Sequence, residues 1–193
     1  MRRIACVAFF LLSVLVSSAR AQHHYVLDKA HTTIGFSVSH MVVSEVDGRF
    51  NEFEGELELD DSLTPTRVAV TIQAASIDTA VAKRDEHLRN EDFFHVEKYP
   101  TIRFVGKRVE TEGDRRVLVG DLTILDTTRE VRLPYTIAGP IQDPWGNTRV
   151  GIRADTTINR RDFGLTWNRM LEAGGLTVGN EVKITIKAEA IRK

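Results

Sequence analysis

The chain has 193 residues, with 26 basic and 27 acidic side chains, a net charge of −1 and one cysteine, Cys6. This length predicts one domain. A single cysteine excludes an internal disulfide framework, and the lack of a basic run or RNA-binding aromatic motif argues against a nucleic-acid partner.

The first twenty-one residues read as a secretory signal peptide. Arg2 and Arg3 precede an apolar run from Ile4 to Val16, and Ala19-Arg20-Ala21 supplies a small-residue cleavage site. The run is short for a bilayer span, and Cys6 lies near its start rather than at its end, so neither a membrane anchor nor lipidation is expected. Cleavage after Ala21 predicts a mature domain over 22–193, periplasmic or secreted. It would be free of cysteine, with 23 basic and 27 acidic side chains and a net charge of −4.

The mature chain is dominated by a period of two, the mark of half-buried strands. In 32–41, Ile34, Phe36, Val38 and His40 share one face. In 51–59, Phe53, Gly55, Leu57 and Leu59 oppose Glu52, Glu54, Glu56 and Glu58. No helix could sort these two sets. Val68, Val70, Ile72 and Ala74 repeat the pattern.

Residues 81–95 break it. Arg84-Asp85-Glu86-His87-Leu88-Arg89 followed by Phe93-Phe94 predicts a short helical insert lying over an opening rather than within a sheet. The period then resumes at Ile102 and Phe104, at Val131, Leu133, Tyr135 and Ile137, at Val150, Ile152, Ala154, Thr156 and Ile158, and at Val182, Ile184, Ile186 and Ala188. Residues 116–125 are mixed on both faces. Turns are expected at Gly113-Asp114, Asp126-Thr127-Thr128, Gly139-Pro140 and Asp143–Asn147. About eight strands joined as consecutive hairpins predict an all-β, antiparallel sheet closed into a barrel.

A barrel of this size is either filled by side chains or holds one small ligand. Gly35, Gly55, Ala74, Gly106 and Ala154 on the apolar faces fit a cavity, or equally bends and bulges. Catalytic and metal motifs are missing. No H-x-x-x-H, H-x-H or HExxH spacing links His23, His24, His31, His40, His87 and His95, and there is no G-x-S-x-G or phosphate loop. No metal, cofactor or catalytic residue is expected.

A set of ordered pieces supports a resemblance. They are Tyr25–Asp28 with His31, Phe36–His40, Gly48-Arg49-Phe50, Phe53-Glu54-Gly55 and Ala75–Thr79. Then follow Arg84-Asp85 with His87-Leu88-Arg89, Asp92-Phe93-Phe94, Lys98–Ile102, Gly120–Thr123, Asn159–Leu165 and Val178–Ile184. From about Tyr25 to Ala190 the chain resembles the YceI-like lipid/polyisoprenoid-binding proteins. The resemblance implies a lipocalin-like, extended antiparallel barrel whose lumen takes an isoprenoid, an isoprenoid quinone or a similar long-chain amphiphile. It also implies a carrier rather than an enzyme.

Carried onto this sequence, the expected ligand-binding residues are Phe36, Val38, Phe53, Leu57, Val70, Ile72, Ile102, Phe104, Tyr135, Ile137, Ile152 and Trp167, with His40 on the same face as Phe36. Arg49, Arg84, His87, Arg89 and Arg161 are expected to serve the head group, unless each is held in a salt bridge. Two other readings stay open: a lipid-modifying hydrolase or isomerase using His40 or His87 as base, and a filled structural barrel. The mature chain is not expected to insert stably in a membrane. A homodimer through exposed strands is compatible with the architecture.

Overall fold

The computed structural model describes residues 21–170 and 176–193; the signal-peptide reading, Cys6 included, lies outside them. Eleven strands run antiparallel in one sheet: β1 Gln22–Leu27, β2 Thr33–His40, β3 Ser44–Phe50, β4 Phe53–Asp60, β5 Pro65–Gln73, β6 Ile77–Asp78, β7 Thr101–Glu112, β8 Arg115–Ile124, β9 Thr127–Gln142, β10 Thr148–Asn159 and β11 Val178–Arg192. Helix α1 spans Ala82–Arg89.

Eight of these strands close into a barrel in the order β1-β4-β5-β7-β8-β9-β10-β11 and back to β1. The remaining three extend it. The last residues of β11, Ala190–Arg192, pair with β1, and its earlier stretch, Val178–Lys187, pairs with β2. Beyond β2 come β3 and then β6. The predicted barrel is therefore present, with β1, β3 and the two-residue β6 as strands the hydrophobic period did not mark. Gly139-Pro140, expected as a turn, lies inside β9. There it falls at a register shift against β10, where a proline without an N–H is tolerated.

Two apolar clusters occupy the interior. Tyr25, Leu57, Leu59, Val68, Val150 and Ala190 plug one end almost completely. The larger cluster joins the strands to the segment around α1 through Phe50, Phe53, Ile77, Phe93, Phe163 and Leu165. Of the small residues on apolar faces, Gly106 marks a β7–β8 bulge, and the space at Gly55 is taken by Leu27, whose Cδ1 would lie 2.5 Å from an added Cβ.

At the plugged end, Arg149 ties three segments together. Its Nη1 donates to Asp28 Oδ2 (2.6 Å) and Glu189 Oε2 (3.2 Å), and its Nε donates to Asp143 Oδ2 (2.7 Å). The hydrogen bonds from Arg149 and then His31 pull the Asp28 carboxyl down to about 2. At Asp143 burial pushes upward, but the bonds from Arg149 and Asn147 outweigh it and hold this carboxyl below the usual range as well. Carboxyls depressed in the folded state add stability that is complete above their unfolded value near 4 and is lost as pH falls through the folded one. Unfolding in urea is thus expected to show a loss of about 2 kcal/mol from Asp28 between pH 5 and 2. Arg149→Met should flatten that slope, and an unchanged slope would remove this network from the acid response.

Candidate functional site

Between the plug and α1 the barrel encloses a cavity of about 250 Å³. That is far more than the ~10–15 Å³ that admits one water molecule. Its wall is aliphatic and aromatic: only Tyr135, Thr156 and Arg160 among the lining residues carry polar side-chain atoms. Such a surface offers a ligand dispersion contacts and apolar burial, and almost no directional chemistry.

The strands position this wall by simple alternation. Ten of the expected residues line it: Phe36 and Val38 on β2, Leu57 on β4, Val70 and Ile72 on β5, Ile102 and Phe104 on β7, Tyr135 and Ile137 on β9, and Ile152 on β10. Three do not. His40 ends β2 opposite Ser44 and Val178 without reaching the cavity. Phe53 is packed into the larger core cluster. Trp167 packs on the rings of His87 (4.9 Å) and Phe93 (5.1 Å), which also meet each other at 5.1 Å, so it holds the segment after β10 against α1 and the segment after it.

The phenyl rings of the wall rest on glycines. A Cβ at Gly48 would lie 2.3 Å from Phe36 Cζ, and one at Gly120 would lie 2.5 Å from Phe104 Cζ. Phe36 then meets Phe50 at 5.8 Å, and Phe50 meets Phe94 edge-on at 5.8 Å, so an aromatic chain runs from β2 to the segment after α1. The Tyr135 hydroxyl is buried with no hydrogen-bond partner among the described residues, and the guanidinium of Arg116 lies 5.3 Å from its ring centroid. Burial is the main reason its phenol sits above the ordinary value, with Arg116 pulling the other way and Asp60 adding to the rise.

The expected head-group residues are mostly committed to the fold. Arg84 donates from Nε to Thr79 Oγ1 and from Nη2 to the Thr79 carbonyl, both at 2.7 Å. Arg89 donates to the carbonyls of Ala75 (2.7 Å) and Ile77 (2.8 Å). The buried Asp85 accepts from Thr79 N at 2.9 Å. These bonds staple α1 to residues 75–79, which explains how a helix with little apolar face stays in place. His87 pairs with Asp92 (2.9 Å) and Arg49 with Asp78 (3.4 Å). None of these residues lines the cavity, and Arg161 is exposed.

Arg160 is the polar residue that sequence reasoning missed. It is 3% exposed and lines the cavity. Its Nε donates to Gly179 O (2.8 Å), Nη1 to Leu165 O (2.5 Å) and Nη2 to Val178 O (3.4 Å). Burial, and then the neighbouring Arg161 charge, bring its pKa below the ordinary arginine value. The surrounding run is a built corner. Asn159 Oδ1 caps Arg161 N (3.0 Å), Phe163 is buried, and Gly164 turns the chain at φ +87°. The signal was available: the period of two through Ile152, Ala154, Thr156 and Ile158 places position 160 inward and 161 outward.

A YceI-like domain matches residues 25–190. A UPF0312 protein of Photorhabdus laumondii is 39% identical over 149 residues, 76% of this chain and 78% of its own. One from Pectobacterium atrosepticum is 32% identical over 191 residues, 98% of this chain and 96% of its own. Among solved structures, the Campylobacter jejuni YCEI protein superposes with a TM-score of 0.69 at 30% identity, covering 86% of this chain and 96% of that one. A polyisoprenoid binding domain from Saccharophagus degradans, implicated in plant cell wall breakdown, shares the fold with a TM-score of 0.63 at 14% identity, over 88% and 98% of the two chains. The domain match over nearly all the described barrel, together with relatives of this identity along the whole chain, makes this protein a member of the YceI-like family.

Proposed function

We propose that this protein is an exported carrier that holds the hydrocarbon chain of a polyisoprenoid, an isoprenoid quinone or a similar long-chain amphiphile inside its barrel. The observation that carries the reading is the cavity itself, some 250 Å³ bounded by a wall with three polar-bearing residues. Burial of each methylene contributes about 0.8 kcal/mol, so a long tail binds such a wall without specific polar contacts once its ordering entropy is offset. The polyisoprenoid-binding neighbour of the same fold agrees with this reading. The n-region, apolar run and Ala19-Arg20-Ala21 site support export, and with it a carrier in the periplasm or outside the cell.

The cavity wall favours binding over chemistry. Neither His40 nor His87 stands on its wall, and His87 is paired with Asp92, both partly exposed. Native mass spectrometry of protein purified from its own host without detergent, followed by solvent extraction, is expected to show a stoichiometric long-chain lipid. A mass equal to the polypeptide alone, with no uptake of added isoprenoid quinone, would sink the carrier reading.

A further inference from the structure

The β2–β3 turn is built against its own backbone preferences. Val43 N bonds His40 O at 3.2 Å, closing a turn whose two central residues, Met41 and Val42, have φ of +52° and +64°. Two positive φ values at the centre of a hairpin turn characterise the type I′ geometry, which asparagine and glycine fill without strain. A β-branched residue in this region is a genuine outlier. Met and Val therefore occupy the two positions where they destabilise the turn most. Val42 gains little in return from the protein core, since it is 75% exposed, and Val43 after it is 85% exposed, while Met41 is 42% exposed.

These residues do not stand alone. Met41 N bonds Thr177 O (2.9 Å), and Thr177 N in turn bonds Arg169 O (3.0 Å), so the turn lies beside the strand-like pair Met170–Leu176. Met170 is 78% exposed. Arg169, next to it, is exposed as well. The patch also leads directly to the cavity. Two residues before the turn, on the same strand, Val38 lines the wall, and Val178, paired with His40 one residue after Thr177, lines it from the opposite strand.

From this arrangement we infer that Met41, Val42, Val43 and Met170 form a docking tip for a lipid bilayer surface, through which the cavity exchanges its ligand with a membrane. Three exposed apolar side chains at a turn, with Met170 and the exposed Arg169 beside them, suit shallow insertion at the headgroup boundary of a bilayer containing anionic lipid. A membrane occupant also explains the strained turn, because the apolar side chains are retained at a backbone cost that only contact outside the protein offsets. The inference rests on the carrier reading for its purpose, while its geometry stands apart from it.

The test is sedimentation of the mature chain with vesicles of equal parts phosphatidylcholine and phosphatidylglycerol. The wild type is expected to pellet with the vesicles, and less so as salt is added. The double variant M41N/V42G supplies the residues that the turn geometry favours, so it should unfold at the same or higher urea concentration, yet partition into vesicles about tenfold or more weakly. Val43→Asp should weaken partition in the same direction. Trp145→Ala, at the β9–β10 turn on the opposite end of the barrel, should change nothing.

Three results would overturn the docking tip: wild type remaining in the supernatant, equal pelleting of wild type and M41N/V42G, or a change of oligomeric state in the variant with partition intact. The last would make the patch a protein–protein surface. Failure of the carrier reading looks different. In that case the protein would take up no isoprenoid quinone but would still bind vesicles through the tip.

Discussion

Replacing Arg160 with methionine is expected to lower the unfolding free energy by about 3 kcal/mol, a large part of the stability of a domain this size. Two effects oppose each other. Methionine removes a buried cation whose desolvation is unfavourable, and exchanging buried charges for apolar side chains is often neutral when both partners are replaced. Here the partners are the main-chain carbonyls of Leu165, Val178 and Gly179, which no substitution removes. Val178 O keeps its donor from Asn168, but the carbonyls of Leu165 and Gly179, left without theirs in a water-poor corner, cost about 1–3 kcal/mol each, and that sum exceeds the relief from losing the charge. The damage should be local before it is global. Residues 160–170, joined to β11 through Arg160 and through Asn168, whose Nδ2 donates to Val178 O at 2.7 Å, should lose hydrogen-exchange protection first. Arg161→Met, one position along and exposed, should stay within about 0.5 kcal/mol of wild type. Urea unfolding of the two variants decides the matter, and coincident midpoints would show that the carbonyl bonds of Arg160 add little.

That contrast shows where sequence reasoning succeeded and where it stopped. Alternation placed Phe36, Val70, Phe104, Ile137 and Ile152 on one side of their strands, and in the folded barrel that side is the cavity wall. The same parity, carried one step past Ile158, points Arg160 inward, but charge alone drew attention to the exposed Arg161 instead. Arg84 and Arg89 were beyond reach for a different reason. Their acceptors are backbone carbonyls at Thr79, Ala75 and Ile77, and a sequence does not advertise a free carbonyl. The strand β1 was hidden because its pairing with β4 and with the end of β11 is long-range, and because its residues Gln22, His23 and His24 lack a sharp hydrophobic alternation. In β3, Gly48 leaves a gap in the apolar series that the ring of Phe36 fills from the neighbouring strand.

Phe36→Arg is expected to reduce uptake of a long-chain isoprenoid quinone by about a hundredfold or more, the largest effect foreseen on binding. Phe36 sits midway along β2, paired with Gly48 on β3 and Ile184 on β11, with its ring over the glycine and its face on the cavity. A guanidinium in that place faces aliphatic wall, since the only cation lining the cavity among the described residues, Arg160, is already saturated by carbonyls and repels it. An unpaired ion in such surroundings is costly by several kcal/mol. The side chain therefore either draws water into the cavity or swings outward and opens the sheet, and both outcomes displace a hydrocarbon tail. Loss of the Phe36–Phe50 contact weakens the fold too, by an amount comparable with other large core changes. Binding must therefore be normalised to the folded fraction measured by near-ultraviolet circular dichroism. Phe36→Ala separates the two effects, because it carries a similar packing loss without a charge and enlarges the cavity. It should retain the quinone while unfolding earlier in urea. If Phe36→Arg takes up quinone at wild-type stoichiometry, the tail does not pass this face of β2. If Phe36→Ala loses binding as completely as Phe36→Arg, it is the ring's shape, and not the dryness of the wall, that holds the ligand.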